Sequence, residues 1–405
     1  MNKLIKIVIL ILVLGFVLPC YAYKNLNISI NNKISSLIEN FRKNTNAPSA
    51  VLSIRFPNGE RINYISGTTE KKAFKNLIPH KVTVDNLFQI GSITKSFIAV
   101  IILQLEAENK LSINDTIANM NHKYGMWLSK DEFNAWKNIT IKQLLNMTSG
   151  IFSITEDPQF NEEYLVKFPK KQWDPKEELK FSLKHKNYFA PGTGWHYSDT
   201  DYTILGILIE AITGHSVETE INNRILHPTH LKNTYYLSRS YPDFIRKKMA
   251  HGYAYTGDFS PPVQPGTDMT FVNMSVANAA GAMVSNTNDI IDWVHDIFTG
   301  KILQPAQRNE MQSVVCSATD GSCKPGESLR LNSRFVGFGL GLVYLYHPKL
   351  GPIWFYIGST AGYYAAFLWV PQQDLTLAMT ISSSSEHSKK IFKTLLETAS
   401  LVIKS

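Results

Sequence analysis

Residues 88–105 read FQIGSITKSFIAVIILQL, and this stretch decides the fold because it joins a candidate nucleophile to a long apolar run. Ser92 and Lys95 stand three residues apart at the start of the run, and positions i and i+3 of a helix share one face. Unpaired N–H groups and a partial positive charge at a helix N-terminus favour developing negative charge beside the serine. The spacing therefore predicts a buried helix over residues 92–108 that holds a serine nucleophile beside a lysine. The alternative is a serine that only caps a core helix.

Two later segments contain groups that suit the same chemistry. Residues 192–214 read GTGWHYSDTDYTILGILIEAITG and place Tyr197 and Asp199 just before an apolar, helix-periodic run. Residues 356–363 read YIGSTAGY inside a strand-like stretch, where Gly358 would allow a ligand to approach the backbone closely. A hydroxyl, an amine and a phenol are therefore available for acyl transfer, which needs a nucleophile and a proton acceptor.

Together the three segments resemble the motifs of the three-motif serine hydrolases, a superfamily of penicillin-binding carboxypeptidases, class C β-lactamases and related esterases. In that superfamily the order is SxxK, then Tyr-x-Asn, then Lys- or His-x-Gly. The resemblance covers roughly residues 35–390. Other segments that share it are residues 88–91, 139–150, 280–289 and 337–342. Residues 214–217 and 223–225 are similar to the secreted D-alanyl-D-alanine carboxypeptidases in particular.

The resemblance implies roles for individual residues. Ser92 is implied to be the acylated nucleophile, with Lys95 and Tyr197 flanking it and sharing its proton, either of them as the base. The implied oxyanion hole consists of the backbone N–H groups of Ser92 and Ser359. The residues implied to contact the substrate are Asp199, Tyr356, Gly358 and Ser359.

Asp199 departs from the superfamily pattern, because it replaces an asparagine. An ionised aspartate only accepts hydrogen bonds, so a donor to the substrate is lost. Its negative charge beside Lys95 favours a protonated lysine, which would then support a Tyr197 phenolate. The alternative is that Asp199 caps the helix that begins at Thr200, and the two roles can coexist.

Tyr356 is the second departure, since the superfamily has lysine or histidine there. Its hydroxyl can hydrogen-bond but carries no positive charge near neutral pH, and the alternative is an ordinary sheet residue. A peptidase that removes a terminal D-alanine must hold a free carboxylate, usually with a cation beside the third motif. Val343 supplies none either, and Arg334 is nearby only in sequence.

The first 22 residues predict a secretory signal peptide. Lys3 and Lys6 precede an apolar stretch over residues 7–18, and Ala22 ends a small–x–small cleavage site. The alternatives are an uncleaved anchor or, less favoured after Pro19, a lipoprotein. Cleavage would leave an exported protein, periplasmic or secreted, with no stable membrane span. The net charge of +8 would fall to +6, and the scattered lysines with no binding motif argue against nucleic acid as a partner.

Cys316 and Cys323 would remain after cleavage. They flank a turn at Asp320-Gly321, and an oxidising compartment favours a disulfide over two free thiols. No metal site is predicted, because the histidines are scattered and the nearest pair, His227 and His230, has a proline between them. No cofactor is expected.

Strand-like stretches near both ends, with helices between them, predict an α+β fold with an inserted helical region. The predicted strands cover residues 49–55, 61–65, 336–345, 353–357, 364–370 and 375–381. The resemblance implies the β-lactamase/transpeptidase-like fold, an antiparallel sheet flanked by helices. We expect a sheet lobe from about 23–108 and 270–405 and a helical lobe from about 109–269. The amphipathic run over residues 391–403 is expected to pack on the sheet rather than to lie on a membrane.

The resemblance implies a secreted serine hydrolase with an acyl-enzyme on Ser92. The expected activity is D-alanyl-D-alanine carboxypeptidase-like, on small-molecule or cell-wall peptide substrates, with β-lactams as candidate ligands. The first alternative is an esterase or amidase on the same scaffold, because carboxylate recognition looks impaired. The second is a catalytically weak penicillin-binding or sensor protein.

Overall fold

The computed structural model describes residues 26–71, 79–125, 128–255, 263–318, 320–331 and 335–404. The predicted signal peptide over residues 1–22 and Arg334 lie outside the described residues. The strands are β1 (Ser49–Arg55), β2 (Arg61–Gly67), β3 (Phe88–Gln89), β4 (Tyr235–Tyr236), β5 (Tyr253–Ala254), β6 (Thr267–Asp268), β7 (Met283–Ser285), β8 (Val314–Cys316), β9 (Ser328–Leu329), β10 (Gly337–Phe338), β11 (Val343–His347), β12 (Gly351–Thr360), β13 (Tyr363–Val370), β14 (Leu375–Ile381) and β15 (Ser383–Ser384).

The α-helices alternate with several 3₁₀ and π-helical turns. The α-helices are α1 (Ile28–Asn44), α2 (Thr94–Ala107), α3 (Ile117–Tyr124), α4 (Lys130–Trp136), α5 (Ile141–Leu145), α6 (Pro158–Glu162), α7 (Pro175–Leu183), α8 (Asp199–Thr213), α9 (Val217–Ile221), α10 (His227–Thr229), α11 (Asp243–Arg246), α12 (Asn278–Gly281), α13 (Thr287–Thr299), α14 (Pro305–Met311) and α15 (Ile391–Ile403). Two π-helical segments cover Glu163–Lys167 and Asn222–Leu226. The 3₁₀ turns are Gly91–Ile93, Ile154–Glu156, Met274–Ala277, Pro371–Gln373 and Glu386–Lys390.

A nine-stranded sheet organises the described part of the chain, in the order β2-β1-β14-β13-β12-β11-β10-β8-β9. Every neighbouring pair in it is antiparallel. The pairing of β1 with β14 joins the two ends of the chain, so the helical segments between them form an insertion. The predicted α+β class with an antiparallel sheet is confirmed.

Helices cover both faces of this sheet, because its strands alternate side chains between two cores. On β1, Leu52 and Ile54 join the core beneath α1 and α15, whereas Val51 joins the core that contains α2, α8 and α13. The last helix, α15, packs against β13 and β14 through Ile391 and Leu395, as expected. Among the described helices, none is long and apolar enough to cross a bilayer.

The predicted helix over residues 92–108 divides into a 3₁₀ turn, Gly91–Ile93, and α2. All residues of α2 from Thr94 to Leu103 are buried, so the helix is apolar around its whole circumference and lies inside the domain.

The single strand predicted over residues 336–345 is wrong. Phe338 pairs with Val343, so β10 and β11 are two arms of a tight hairpin. Gly341 has a φ of +75°, a left-handed conformation that ends one strand and starts the next. Because the stretch is apolar on both sides of Gly341, its pattern is that of one continuous strand.

Candidate active site

Ser92 lies on the 3₁₀ turn that leads into α2, where β12 passes directly against it. A Cβ on Gly358 would come within 1.9 Å of the Ile90 carbonyl oxygen and 2.9 Å of the Ser92 backbone nitrogen. A Cβ on Gly91, whose φ is +49°, would come within 2.7 Å of the Ser359 nitrogen. Glycine at both positions therefore permits the contact that brings the Ser92 and Ser359 backbones together.

Lys95 lies three residues after Ser92, in the first turn of α2, and is fully buried. Its Nζ donates to Ser92 Oγ at 3.1 Å, to Asp199 Oδ1 at 2.6 Å and to the Ala280 carbonyl oxygen at 2.8 Å. Three acceptors match the three protons of an ammonium group. The Asp199 carboxylate offsets the charge of this buried lysine, which would otherwise be costly.

Tyr197 completes the group around the serine. Its hydroxyl donates to Ser92 Oγ at 2.7 Å, and Lys95 Nζ lies 4.9 Å from the centre of its ring. Burial, with a further contribution from the Asp199 carboxylate, raises the pKa of Tyr197 well above its ordinary value. Tyr197 is therefore a phenol in the free enzyme, and both neighbours of Ser92 direct a proton toward its oxygen.

Asp199 does not cap α8, so that part of the prediction is wrong. The helix begins at Asp199 itself. Ser198 is the N-cap, and its side chain forms no capping hydrogen bond. The Asp199 side chain turns inward to Lys95 and accepts a second hydrogen bond, at 2.8 Å, from Thr155 Oγ1. Thr155 was not predicted, although it follows the sequence segment 139–150 that resembles the superfamily.

Tyr356, which was expected to contact the substrate, is 2 % exposed and lies behind Tyr197. It does not line the cavity at Ser92. Its hydroxyl is close enough to Tyr197 to act on the pKa of that residue, but it makes no well-formed hydrogen bond with the described residues. The alternative interpretation of Tyr356 as a sheet residue therefore describes its position better, because β12 turns this side chain into the core.

A cavity of about 390 Å³ opens beside Ser92, Tyr197 and Asp199. Ser359 and Thr360 form part of its polar rim. Its apolar wall contains Ile154, Phe160, Tyr164, Met269, Val272 and Met274. No lysine, arginine or histidine of the described chain lines it, and the one carboxylate in its lining, Asp199, is paired with buried Lys95. The cavity therefore suits an apolar group and offers no cation to a free carboxylate.

The predicted disulfide is confirmed: Cys316 on β8 is bonded to Cys323. Among the described residues, no group of three or more metal-ligating side chains could hold a metal ion.

A serine, a lysine and a tyrosine that converge where a helix start meets the central sheet define a serine hydrolase of the penicillin-binding-protein and β-lactamase-like superfamily. Comparison with known proteins agrees. The family described as Beta-lactamase matches residues 34–399, so the chain belongs to that family.

Two curated relatives match part of this chain. Penicillin-binding protein 4* of Bacillus subtilis (strain 168) is 25 % identical over 304 residues, which is 73 % of this chain and 58 % of the relative. Protein flp of Staphylococcus aureus (strain COL) is 28 % identical over 214 residues, which is 53 % of this chain and 39 % of the relative. The chain thus spans about half the length of these relatives.

Solved structures match nearly the whole chain. A D-stereospecific amidohydrolase from Streptomyces sp. has a TM-score of 0.71 and 25 % identity, covering 89 % of this chain and 97 % of its own. The D-amino acid amidase from Ochrobactrum anthropi SV3, solved with L-phenylalanine amide, has a TM-score of 0.74 and 22 % identity, covering 93 % and 99 %. The second likeness shows the fold alone.

Proposed function

We propose that this serine hydrolase cleaves neutral amides or esters with an apolar acyl group, through an acyl-enzyme on Ser92. The observation behind the proposal is the cavity beside Ser92, which has an apolar wall, one carboxylate and no cation among its lining residues. The D-stereospecific amidohydrolase supports amide substrates, because it matches this chain along nearly its whole length.

Acylation forms a bond between Ser92 Oγ and the acyl carbon and breaks the bond to the leaving nitrogen or oxygen. The Ser92 proton must move to a neighbour, yet Lys95 and Tyr197 both donate toward Ser92 Oγ. Asp199 Oδ1, 2.6 Å from Lys95 Nζ, can take a proton from the ammonium and free the amine to accept the proton of Ser92. Lys95 then gives the Ser92 proton to the leaving group. In deacylation the oxygen of a water molecule bonds to the acyl carbon and the bond to Ser92 Oγ breaks. The water proton passes through Lys95 to Ser92 Oγ, and Asp199 returns its proton to Lys95.

The D-alanyl-D-alanine carboxypeptidase-like activity stays a prediction and is the second candidate. The likeness to penicillin-binding protein 4* supports it and also supports acylation by β-lactams. A free terminal carboxylate would find no cation among the lining residues, and Lys95 is already paired with Asp199, so this candidate requires a cation from outside the described lining.

A matched pair of substrates separates the two candidates. The same acyl-D-Ala-D-Ala peptide is assayed with a free C-terminus and as its C-terminal amide, beside a neutral aryl ester. We expect kcat/KM to be higher for the amidated peptide and the ester. A preference for the free carboxylate would reject the proposal in favour of carboxypeptidase action, and no turnover of any substrate would favour the binding or sensor protein.

Asp199→Asn tests the electrostatic cause. Removing the negative charge should raise the turnover of the free-carboxylate peptide relative to its amide by about fivefold, because a screened charge contact of this kind amounts to about 1 kcal/mol. An unchanged ratio would show that Asp199 does not exclude carboxylates. The buried position of Tyr356 removes it from this argument.

We also propose that the protein is exported after cleavage near Ala22. The charge and hydropathy pattern of residues 1–22 supports export.

A further inference from the structure

A second carboxyl group is buried away from the cavity, on α7. Glu178 is 0 % exposed and forms no ion pair with any described residue. Its Oε2 accepts a short hydrogen bond from Asn278 Nδ2, whereas its Oε1 has no partner among the described residues. A carboxylate in such a place would be costly, because a buried charge needs a counter-charge or several donors.

Asn278 is equally unusual. It is buried and begins α12 with a φ of +28°, which non-glycine residues rarely adopt. Its second amide proton goes to Thr203 Oγ1 at 3.2 Å, and its own oxygen, Oδ1, has no partner among the described residues. Glu178 Oε1 and Asn278 Oδ1 thus both lack a donor among the described residues, although the carboxyl and carboxamide groups that carry them already share one hydrogen bond.

A single proton satisfies both oxygens. If Glu178 is protonated on Oε1, it donates to Asn278 Oδ1 and closes a two-bond pair of a carboxylic acid with a carboxamide. If Glu178 is ionised, neither oxygen has a donor among the described residues, and each lacks a bond that a buried polar group needs.

The charged groups around Glu178 favour the same protonation state. Three acidic residues raise its pKa electrostatically. They are Asp174 at the N-cap of α7, Glu177 in the first turn of α7 and Asp199 at the start of α8. Tyr236, which packs nearby on β4, is a buried phenol whose pKa is raised well above the ordinary value. Burial first, and then these carboxylates, raise the pKa of Glu178 well above its ordinary value.

We propose that Glu178 is a neutral carboxylic acid whose two-bond pair with Asn278 holds the start of α12, and thereby positions the Ala280 carbonyl that accepts a hydrogen bond from Lys95. Glu178 is a positioning residue in this scheme, since it does not line the cavity beside Ser92. The Ala280 carbonyl oxygen lies 2.8 Å from Lys95 Nζ and two residues after Asn278, so a shift of this turn changes the donors at Ser92.

The proposal gives a pH dependence with a definite sign. An acid whose pKa is raised on folding contributes its full stability below the pKa of the unfolded chain, and that contribution is lost as the pH rises toward the folded-state pKa. Folding should therefore become less favourable between about pH 5 and the folded-state pKa of Glu178, relative to a variant that cannot ionise there.

The test compares wild type with Glu178→Gln, Glu178→Leu and the control Glu177→Gln. Glutamine can form the same two bonds as an amide pair, whereas leucine can form neither. Burial also raises the pKa of Asp201 well above its ordinary value, so Asp201 contributes its own carboxyl band to every variant. Infrared difference spectra at neutral pH should therefore show the C=O stretch of a protonated carboxyl for wild type minus Glu178→Gln, and not for wild type minus Glu177→Gln. The Tm of Glu178→Gln should rise relative to wild type by about 1–3 °C per pH unit above pH 5, and Glu177→Gln should lack this trend.

Turnover of a neutral aryl ester should be rescued by glutamine and lost with leucine, by on the order of 10²-fold, because a small displacement of a catalytic group is sufficient for such a loss. The absence of a carboxyl band from the difference spectrum of wild type minus Glu178→Gln would overturn the proposal. So would glutamine and leucine variants that are equally impaired. The infrared and Tm measurements need no substrate, so they can fail or succeed independently of the proposed function.

Discussion

Two protons point at Ser92 Oγ, one from Lys95 and one from Tyr197, and this arrangement makes the nucleophile testable at the level of single atoms. Removing Ser92 leaves both donors without their shared acceptor and leaves the substrate without an attacking oxygen.

Ser92→Ala should lower kcat/KM for a neutral ester by about 10³-fold or more, because a nucleophile and its proton partners act as a unit. An activated phosphonate should give one covalent adduct on wild type, located by mass spectrometry in the peptide that contains Ser92. Ser36→Ala, on the exposed surface of α1, is the matched control and should be labelled like wild type. Unchanged labelling of Ser92→Ala would place the nucleophile elsewhere.

The sequence predicted the identity of the residues around Ser92 better than their orientation. Ser92, Lys95 and Tyr197 could be selected because each matches a short motif beside an apolar run. The direction of the Asp199 and Tyr356 side chains could not. Asp199 is oriented by Lys95 and Thr155, and Tyr356 lies against Tyr197, all from distant parts of the chain. Residue type fixes what a side chain can donate, whereas tertiary packing fixes to which atom it donates.

At the level of elements, the regular strands were predictable and the interruptions were not. Strand β14 has the predicted bounds because its seven residues are all apolar or β-branched, and α15 does because its apolar residues recur with helical spacing. The hairpin between β10 and β11 depends on a positive φ at Gly341. The π-helical segment Glu163–Lys167 contributes Tyr164 to the cavity wall. Neither feature has a periodic signal.

Contact between β12 and the turn of Ser92 gives a prediction at this scale. Gly358→Ala would place a methyl group 1.9 Å from the Ile90 carbonyl oxygen, so β12 or the turn must move. We expect kcat/KM to fall by on the order of 10²-fold, because the backbone donors near Ser92 and Ser359 lose their alignment.

Gly59→Ala is the control, since an added Cβ there would meet open space, whereas at Gly358 it would meet the Ile90 carbonyl. It tests whether the close approach at Gly358, rather than any glycine replacement, causes the loss. Circular dichroism and Tm would establish that both variants are folded. Equal activity of Gly358→Ala and wild type would show that the strand adjusts without disturbing the site.

For the whole molecule, the sheet joins both ends of the chain and leaves β9 and β8 as its far edge, where the Cys316–Cys323 bond lies. This edge lies opposite β2, against which α1 packs. The contribution of the bond should therefore be mainly to the stability of the β8–β9 edge.

The disulfide gives the last prediction. It closes a loop with a sequence separation of 7, so the Cys316→Ser/Cys323→Ser variant should be less stable to unfolding by about 2 kcal/mol. Denaturant titration of the variant, of Ser322→Ala as a control within the same loop, and of wild type with and without reductant measures this difference. Reductant should reproduce the effect of the double variant in wild type and leave that variant unchanged.

If export follows the proposal, protein recovered from outside the cytoplasm should begin near Tyr23 and contain no thiol that alkylates before reduction, because an oxidising compartment maintains the bond. An N-terminus at Met1 or two free thiols in that material would reject the export proposal, and a double variant as stable as wild type would show that β8 and β9 hold the edge without the covalent link.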